Sequence, residues 1–217
     1  MYALDPAAAK AAESTGSRIA EKGKYKGKFT RAQHIVSENT GTYGIDFDFV
    51  ADGGQRARFS IYTKRSDGTQ VYGFKQLSAL MACLSLRNLA DPKDTPAKVY
   101  DFDQQRELDT VVPQFTELLG KPVGLLFSME EYRPGKWRPN LAGVFQASSE
   151  LVASEILDRK TQPLQLAKMV QALRDKPLRS GGGSLEDGNR AAAAAGASAL
   201  DDDIPFAQAF GRKAHYF

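Results

Sequence analysis

Between Lys24 and Lys64 the chain alternates three times over between residues that seek water and residues that avoid it, and each run closes on a turn signal. Successive side chains of a strand point to opposite faces, so strict alternation means one buried and one wet face. The first run, from Lys24 to about residue 37, puts Lys24, Lys26 and Lys28 on one side and Tyr25, Gly27 and Phe29 on the other. After a turn at residues 38–42, the second run (43–50) sets Ile45, Phe47 and Phe49 against Asp46 and Asp48. Ala51-Asp52-Gly53-Gly54 is a strong hairpin signal. The third run (55–64) turns Ala57, Phe59, Ile61 and Thr63 inward and Arg56, Arg58, Ser60, Tyr62 and Lys64 outward. The pattern dictates a three-stranded antiparallel meander with an aromatic face to bury.

Past a turn at 66–68 and a short extended piece at 70–72 the period changes. Leu77, Leu80, Met81, Leu84 and Leu89 fit helical spacing and predict a helix over 75–87. A Pro- and Asp-rich connection (91–96) leads to a short extended piece at 98–103. Residues 109–119 read as helical, with Pro113 confined to the first turn. Two more strands follow, 122–132 and 140–147, about a turn at Arg133-Pro134-Gly135-Lys136. Ser148 is placed to cap an amphipathic helix to about 159, and 163–174 is a second helix. The fold class is mostly β with accessory helices. Three strands, a helix and two strands is the order of the five-stranded OB-fold barrel, with its helix between strands three and four. The organisation reads as a mobile arm (1–17), the barrel (18–147), helices packing on the barrel or a neighbour (148–176), a linker (177–200) and a tail (201–217).

Composition removes several classes. No apolar run approaches the ~20 residues of a membrane span, and no basic segment followed by an apolar one opens the chain. The single cysteine, Cys83, lies in a helical apolar pattern and reads as a buried thiol in a reducing compartment. These features point to the cytoplasm, with no membrane. The two histidines, His34 and His215, lack metal-ligand spacing, and Gly181-Gly182-Gly183-Ser184 has no following lysine to make a phosphate loop. Asp46 with Asp48 and Asp101 with Asp103 are the carboxylate pairs that a Mg²⁺-dependent nuclease would use. The expectation is nevertheless no enzyme, no metal and no cofactor.

Charge is unevenly spread. From Arg18 to Lys75 there are eleven basic and six acidic residues, while the chain as a whole carries only +3. The densest acidic cluster, Asp201-Asp202-Asp203, runs into Ile204-Pro205-Phe206 after a Gly- and Ala-rich stretch that cannot build a core. This segment resembles the C-terminal tip of bacterial and phage single-stranded DNA-binding proteins. The body shows no motif that matches a cellular member residue by residue; it looks more like a phage-encoded one, acting in a bacterial host. The family's Phe usually ends the chain, whereas here eleven residues, Ala207 to Phe217, follow. The resemblance implies an OB-fold that coats single strands without strong sequence preference in replication, recombination or repair. It also implies that Asp201, Asp202, Asp203, Ile204, Pro205 and Phe206 recruit partner proteins.

A groove for single strands combines cations that follow phosphates with rings on which bases stack. The outward faces offer Lys24, Lys26, Lys28, Arg56, Arg58, Tyr62 and Lys64, and Arg31 and Arg65 are further cationic candidates. Tyr43, Tyr72, Tyr132, Lys136, Trp137 and Arg138 lie at or near loops that can clamp a strand. Two alternatives stay open. Asp46 and Asp48 can pair with Arg56 and Arg58 across strands, leaving those arginines structural. The whole chain can also be an adaptor that mimics the tip and binds no DNA. Homo-oligomerisation is open as well.

Overall fold

The computed structural model describes residues 18–101 and 106–178. The expected arm (1–17), most of the linker, the tip Asp201–Phe206 and Phe217 lie outside them.

The three alternating runs form the expected meander: β1 (Gly23–Val36), β2 (Tyr43–Ala51) and β3 (Arg56–Lys64), paired antiparallel in order. Their inner faces make the core. Phe29, Phe47, Phe49 and Phe59 are buried, joined by Phe127 from β6 (Pro122–Arg133). Their rings pack at 4.7 Å (Phe29–Phe47), 5.3 Å (Phe47–Phe59) and 5.5 Å (Phe59–Phe127). Each such pair adds about 0.5–1.5 kcal/mol beyond its burial.

β1 is long enough to serve two partners along one edge. Its first half pairs with β6 and its second half meets β5 (Arg106–Gln114) at Gln33 and Gln114. β6 also pairs with β7 (Lys136–Phe145). Helix α1 (Tyr72–Cys83) lies between β3 and β7 in its contacts. It starts earlier than expected, at Tyr72, and it also ends earlier, where Ser85 takes a left-handed φ of 56°.

Two expectations are corrected. Residues 109–119 are not an α-helix, and the described part of 98–103, residues 98–101, belongs to something longer. Together they are a hairpin, β4 (Lys93–Asp101) with β5, followed by one 3₁₀ turn (Thr116–Leu118). The β-branched run Thr110-Val111-Val112 prefers a pleated surface and pairs with Thr95-Pro96-Ala97, which decides the outcome. The sheet therefore has seven strands instead of five. Among the described residues no ladder joins β3 to β7, so pairing does not give the closed five-stranded barrel.

The C-terminal helices are shorter than expected: α2 (Ala153–Leu157) and α3 (Gln165–Ala172). Ser148 caps nothing, because Glu150 has a left-handed φ of 62° that no helix tolerates. α3 packs where Leu126, Phe145, Val152 and Leu166 form a second small core, whereas Ala153 and Ile156 of α2 pack against the main one. Gly124 is required there, since a Cβ on it would overlap the Phe145 ring. The chain then returns beside β6, with the Lys176 amide donating to the Met129 carbonyl at 2.8 Å.

Glu155 ties the two helices together. It is fully buried and accepts from three backbone amides: Val152 (3.1 Å), Leu164 (2.8 Å) and Gln165 (2.9 Å). Burial alone would raise its pKa; the three N–H donors outweigh that and hold it below the usual carboxylate range. A depressed folded-state pKa gives stability that is present above the unfolded value and lost as pH falls through the folded one. Glu155→Gln presents an amide N–H₂ where a donor needs an acceptor. We expect its thermal midpoint to fall by several degrees at pH 7, with the gap from wild type closing below about pH 4. Thermal melts at both pH values check this, and a gap unchanged with pH would contradict it.

Candidate nucleic-acid interface

The outer face of β1–β3 carries the charged residues singled out from the sequence, and cross-strand register decides what each one meets. A bulge between Phe29 and Arg31 inserts Thr30, which brings Arg31 opposite Asp48; on the other side, the regular β2–β3 register sets Asp48 opposite Arg58. The Arg31 Nε donates to Asp48 at 2.8 Å, its Nη2 to Asp46, and its Nη1 to Gln33 at 2.6 Å. Arg58 Nε donates to Asp48 at 2.7 Å, and Ser60 donates to Asp46 at 2.8 Å. Burial works against the Arg31 charge, and the Asp48 and Asp46 carboxylates more than restore it. Burial likewise pushes the Asp48 carboxyl up, and Arg31 and Arg58 hold it below its ordinary value. The cross-strand alternative thus holds for Arg58, which pairs with Asp48, but not for Arg56, which meets Glu107; Arg31 takes the remaining places. Arg31 is 3 % exposed and is taken out of the surface.

The β4–β5 hairpin is tied to this face at two points. Gln114, itself buried, accepts from the Ala32 amide at 3.3 Å beside the Gln33 pairing and donates to Thr95 at 2.8 Å. Seven residues away, Glu107 meets Arg56 on β3 at 3.6 Å. Seven extended residues span roughly 23 Å, enough to cross from β1 to β3. The hairpin thus joins β1 at one ladder position, and its far part reaches Arg56 of β3 as an arm.

At the start of β1 the lysine stripe meets the β7–α2 loop. Lys24 and Lys26 both reach Glu150, at 2.9 and 2.8 Å. Their hydrogen bonds, Lys26 first, hold the Glu150 carboxyl below its ordinary range. Lys22 pairs with Asp175 at 3.4 Å. Lys28 is exposed on the same face, and among the described residues no carboxylate lies within ion-pair distance of it.

The β6–β7 tip gathers the other expected residues. Arg138 lies over the Tyr132 ring at 5.7 Å and bonds Glu130 at 2.9 Å. Trp137, 40 % exposed, stands opposite Glu131, and Lys136 is exposed beside it. Tyr43, Lys64 and Arg65 lie at the far end of the sheet, near the β3–α1 turn. Tyr62 is half-buried on the outer face, where burial and then Asp46 push its phenol up. Tyr72 opens α1, 69 % exposed and away from these groups in the ladder. The sequence reading missed Glu150, Glu107, Gln114 and His34. The first three act across separations no local pattern encodes, and His34 shares the parity of Lys24, Lys26 and Lys28 and is turned inward only by the bulge.

The Asp46 and Asp48 carboxylates are occupied by Arg31, Arg58 and Ser60. Asp103 lies outside the described residues. Burial pushes the Cys83 thiol up to about 12, as expected of a core cysteine. Among the described residues no helix is long and apolar enough to cross a membrane. No family model matches the chain. A stretch of 101 residues is 33% identical to 1-deoxy-D-xylulose 5-phosphate reductoisomerase of Zymomonas mobilis, covering 46% of this chain. The chain spans about a quarter (24%) of that protein's length, a likeness that assigns no family.

Proposed function

We propose that this chain is a single-stranded DNA-binding protein of the phage type, which coats exposed strands and recruits replication, recombination or repair proteins through Asp201–Phe206. The finer fold in this reading is an OB-type barrel of β1, β2, β3, β6 and β7, with β4–β5 as an insertion between its third and fourth strands. In support, β1 pairs with both β2 and β6, and α1 falls between β3 and β6 in the chain. The observation that carries the functional reading is the lysine stripe ending on exposed Lys28, together with the β4–β5 arm that reaches Arg56 and a hairpin tip bearing Tyr132, Trp137 and Lys136. In this reading a polyanion runs between the arm and the face, and the tip supplies rings for stacking.

Trp137 is the only tryptophan, so its fluorescence reports one place. Titration with oligo(dT) is expected to quench it saturably, and more weakly as salt rises. Unchanged fluorescence together with no shifted complex on a gel would refute strand binding.

A second reading is favoured by the neutralisation of Lys24, Lys26, Arg31 and Arg58 by carboxylates. In it the chain is an adaptor whose tail captures the same partners without binding DNA. It predicts tail-dependent binding of repair proteins under conditions where oligo(dT) forms no complex.

A further inference from the structure

A cleft of about 580 Å³ opens at the end of the sheet where β1, β2 and β3 meet α1. That is within the size range of small-molecule sites, about 300–1,000 Å³. Its floor is Leu77 and Met81 of α1 with Phe115, all only partly buried. One wall is a ring pair: His34 and Tyr43 stack at 6.0 Å with 24° between planes. Phe115 meets the His34 ring edge-on at 6.0 Å and fixes its tilt. Tyr43 is thus backed on one face and remains 41 % exposed. Lys64 stands at the rim, exposed, with no carboxylate in ion-pair distance among the described residues. The rim carboxylate Asp67 is turned into its own loop, accepting from the Thr69 amide at 2.7 Å.

From this geometry we propose that the cleft is a nucleotide pocket: it takes one unstacked base against the His34–Tyr43 rings, with the attached phosphate on Lys64. Flat apolar walls beside one cation match a base joined to a phosphate. A pre-stacked platform loses little freedom on binding, which favours a planar ligand over a flexible chain. The inference rests on the strand-binding reading for its natural ligand, a splayed-out base of a bound strand. A free nucleotide shares the same chemistry, and the test separates the two.

His34 and His215 are the only histidines, so the imidazole C–H signals of the full-length protein are resolvable by proton NMR, with His215→Gln to assign them. Titration with thymidine monophosphate and separately with oligo(dT) is expected to move the His34 signals saturably and leave those of His215 in place. Oligonucleotide binding is followed on the same samples by anisotropy of a labelled strand. Tyr43→Ala, at an exposed position, is expected to weaken the His34 response to the nucleotide by about tenfold, the scale of one lost stacking contact. His34 signals unmoved by either ligand, with a complex evident by anisotropy, overturn the pocket and leave strand binding standing. Movement with the mononucleotide but no complex with the strand upholds the pocket and refutes strand binding. Movement with the mononucleotide alone while the strand binds elsewhere makes the free nucleotide the ligand. No response in either measurement removes both. If Phe206→Ala or Phe217→Ala moves the His34 signals and nucleotide does not, the chain's own C-terminal segment fills the cleft, and the proposal is wrong.

Discussion

Replacing Arg31 with alanine is expected to lower the stability of the fold by about 3–5 kcal/mol, the cost of breaking a buried ion pair from one side. Arg31 sits on the nominally wet face of β1, yet it is 3 % exposed and bonds Asp48, Asp46 and Gln33. Its removal strands Asp46 most, because Asp48 keeps Arg58 at 2.7 Å. Arg31→Met restores apolar volume but not charge, so it should remain strongly destabilised, and adding Asp46→Asn should recover part of the loss. The pH dependence has a definite sign. The depressed Asp48 carboxyl contributes stability above its unfolded pKa and loses it as pH falls through its folded one. Part of that depression comes from Arg31, so the gap between wild type and Arg31→Ala should narrow in acid. Urea unfolding at pH 7 and pH 4 measures both. A loss of under about 1 kcal/mol, with weakened oligo(dT) binding, would instead put Arg31 in the groove, among the strand-binding candidates where the sequence reading placed it.

The case of Arg31 marks where reading a sequence stops. Alternation located β1, β2 and β3 within a residue or two, because one buried face leaves no freedom of register. It also assigned Phe29, Phe47, Phe49 and Phe59 to the core. The bulge at Thr30 breaks parity without any glycine or proline to announce it. The β4–β5 arm was hidden because Pro96, Pro113 and scattered charges suppress strand alternation; its evidence is the pairing itself. Glu150 was read as the opening of a helix, since Ser-Ser-Glu suits a cap. Its left-handed backbone and its two lysine partners, more than a hundred residues away, exist only in the fold. The candidate residues were therefore legible one by one, while their pairing was not.

That pairing sets the second large expectation. If single strands follow the Lys24, Lys26 and Lys28 stripe, phosphates must displace Glu150 from two of the three cations. Exposed ion pairs of this kind are worth about 0–1 kcal/mol each, so a polyanion can displace them at little cost, but the cost is not zero. Glu150→Gln should then tighten oligo(dT) binding at low salt, by up to roughly tenfold if both pairs are released. Reversing the three lysines would place two carboxylates against Glu150 and confuse binding with folding. The neutral triple Lys24→Gln, Lys26→Gln, Lys28→Gln is cleaner, and its thermal midpoint should stay close to wild type. Single strands lose about 0.7 in the slope of log K against log salt for each phosphate contact removed, so the triple should flatten that slope by roughly 2. Affinity should drop by a hundredfold or more at low salt, where cation contacts count most. The two variants move in opposite directions only if Glu150 and DNA compete for the same lysines. A triple that binds as wild type does, with Glu150→Gln equally silent, would make the stripe and its glutamate a docking seam between β1 and the β7–α2 loop. The strand would then have to run elsewhere, along the arm and the Trp137 tip, or not bind at all.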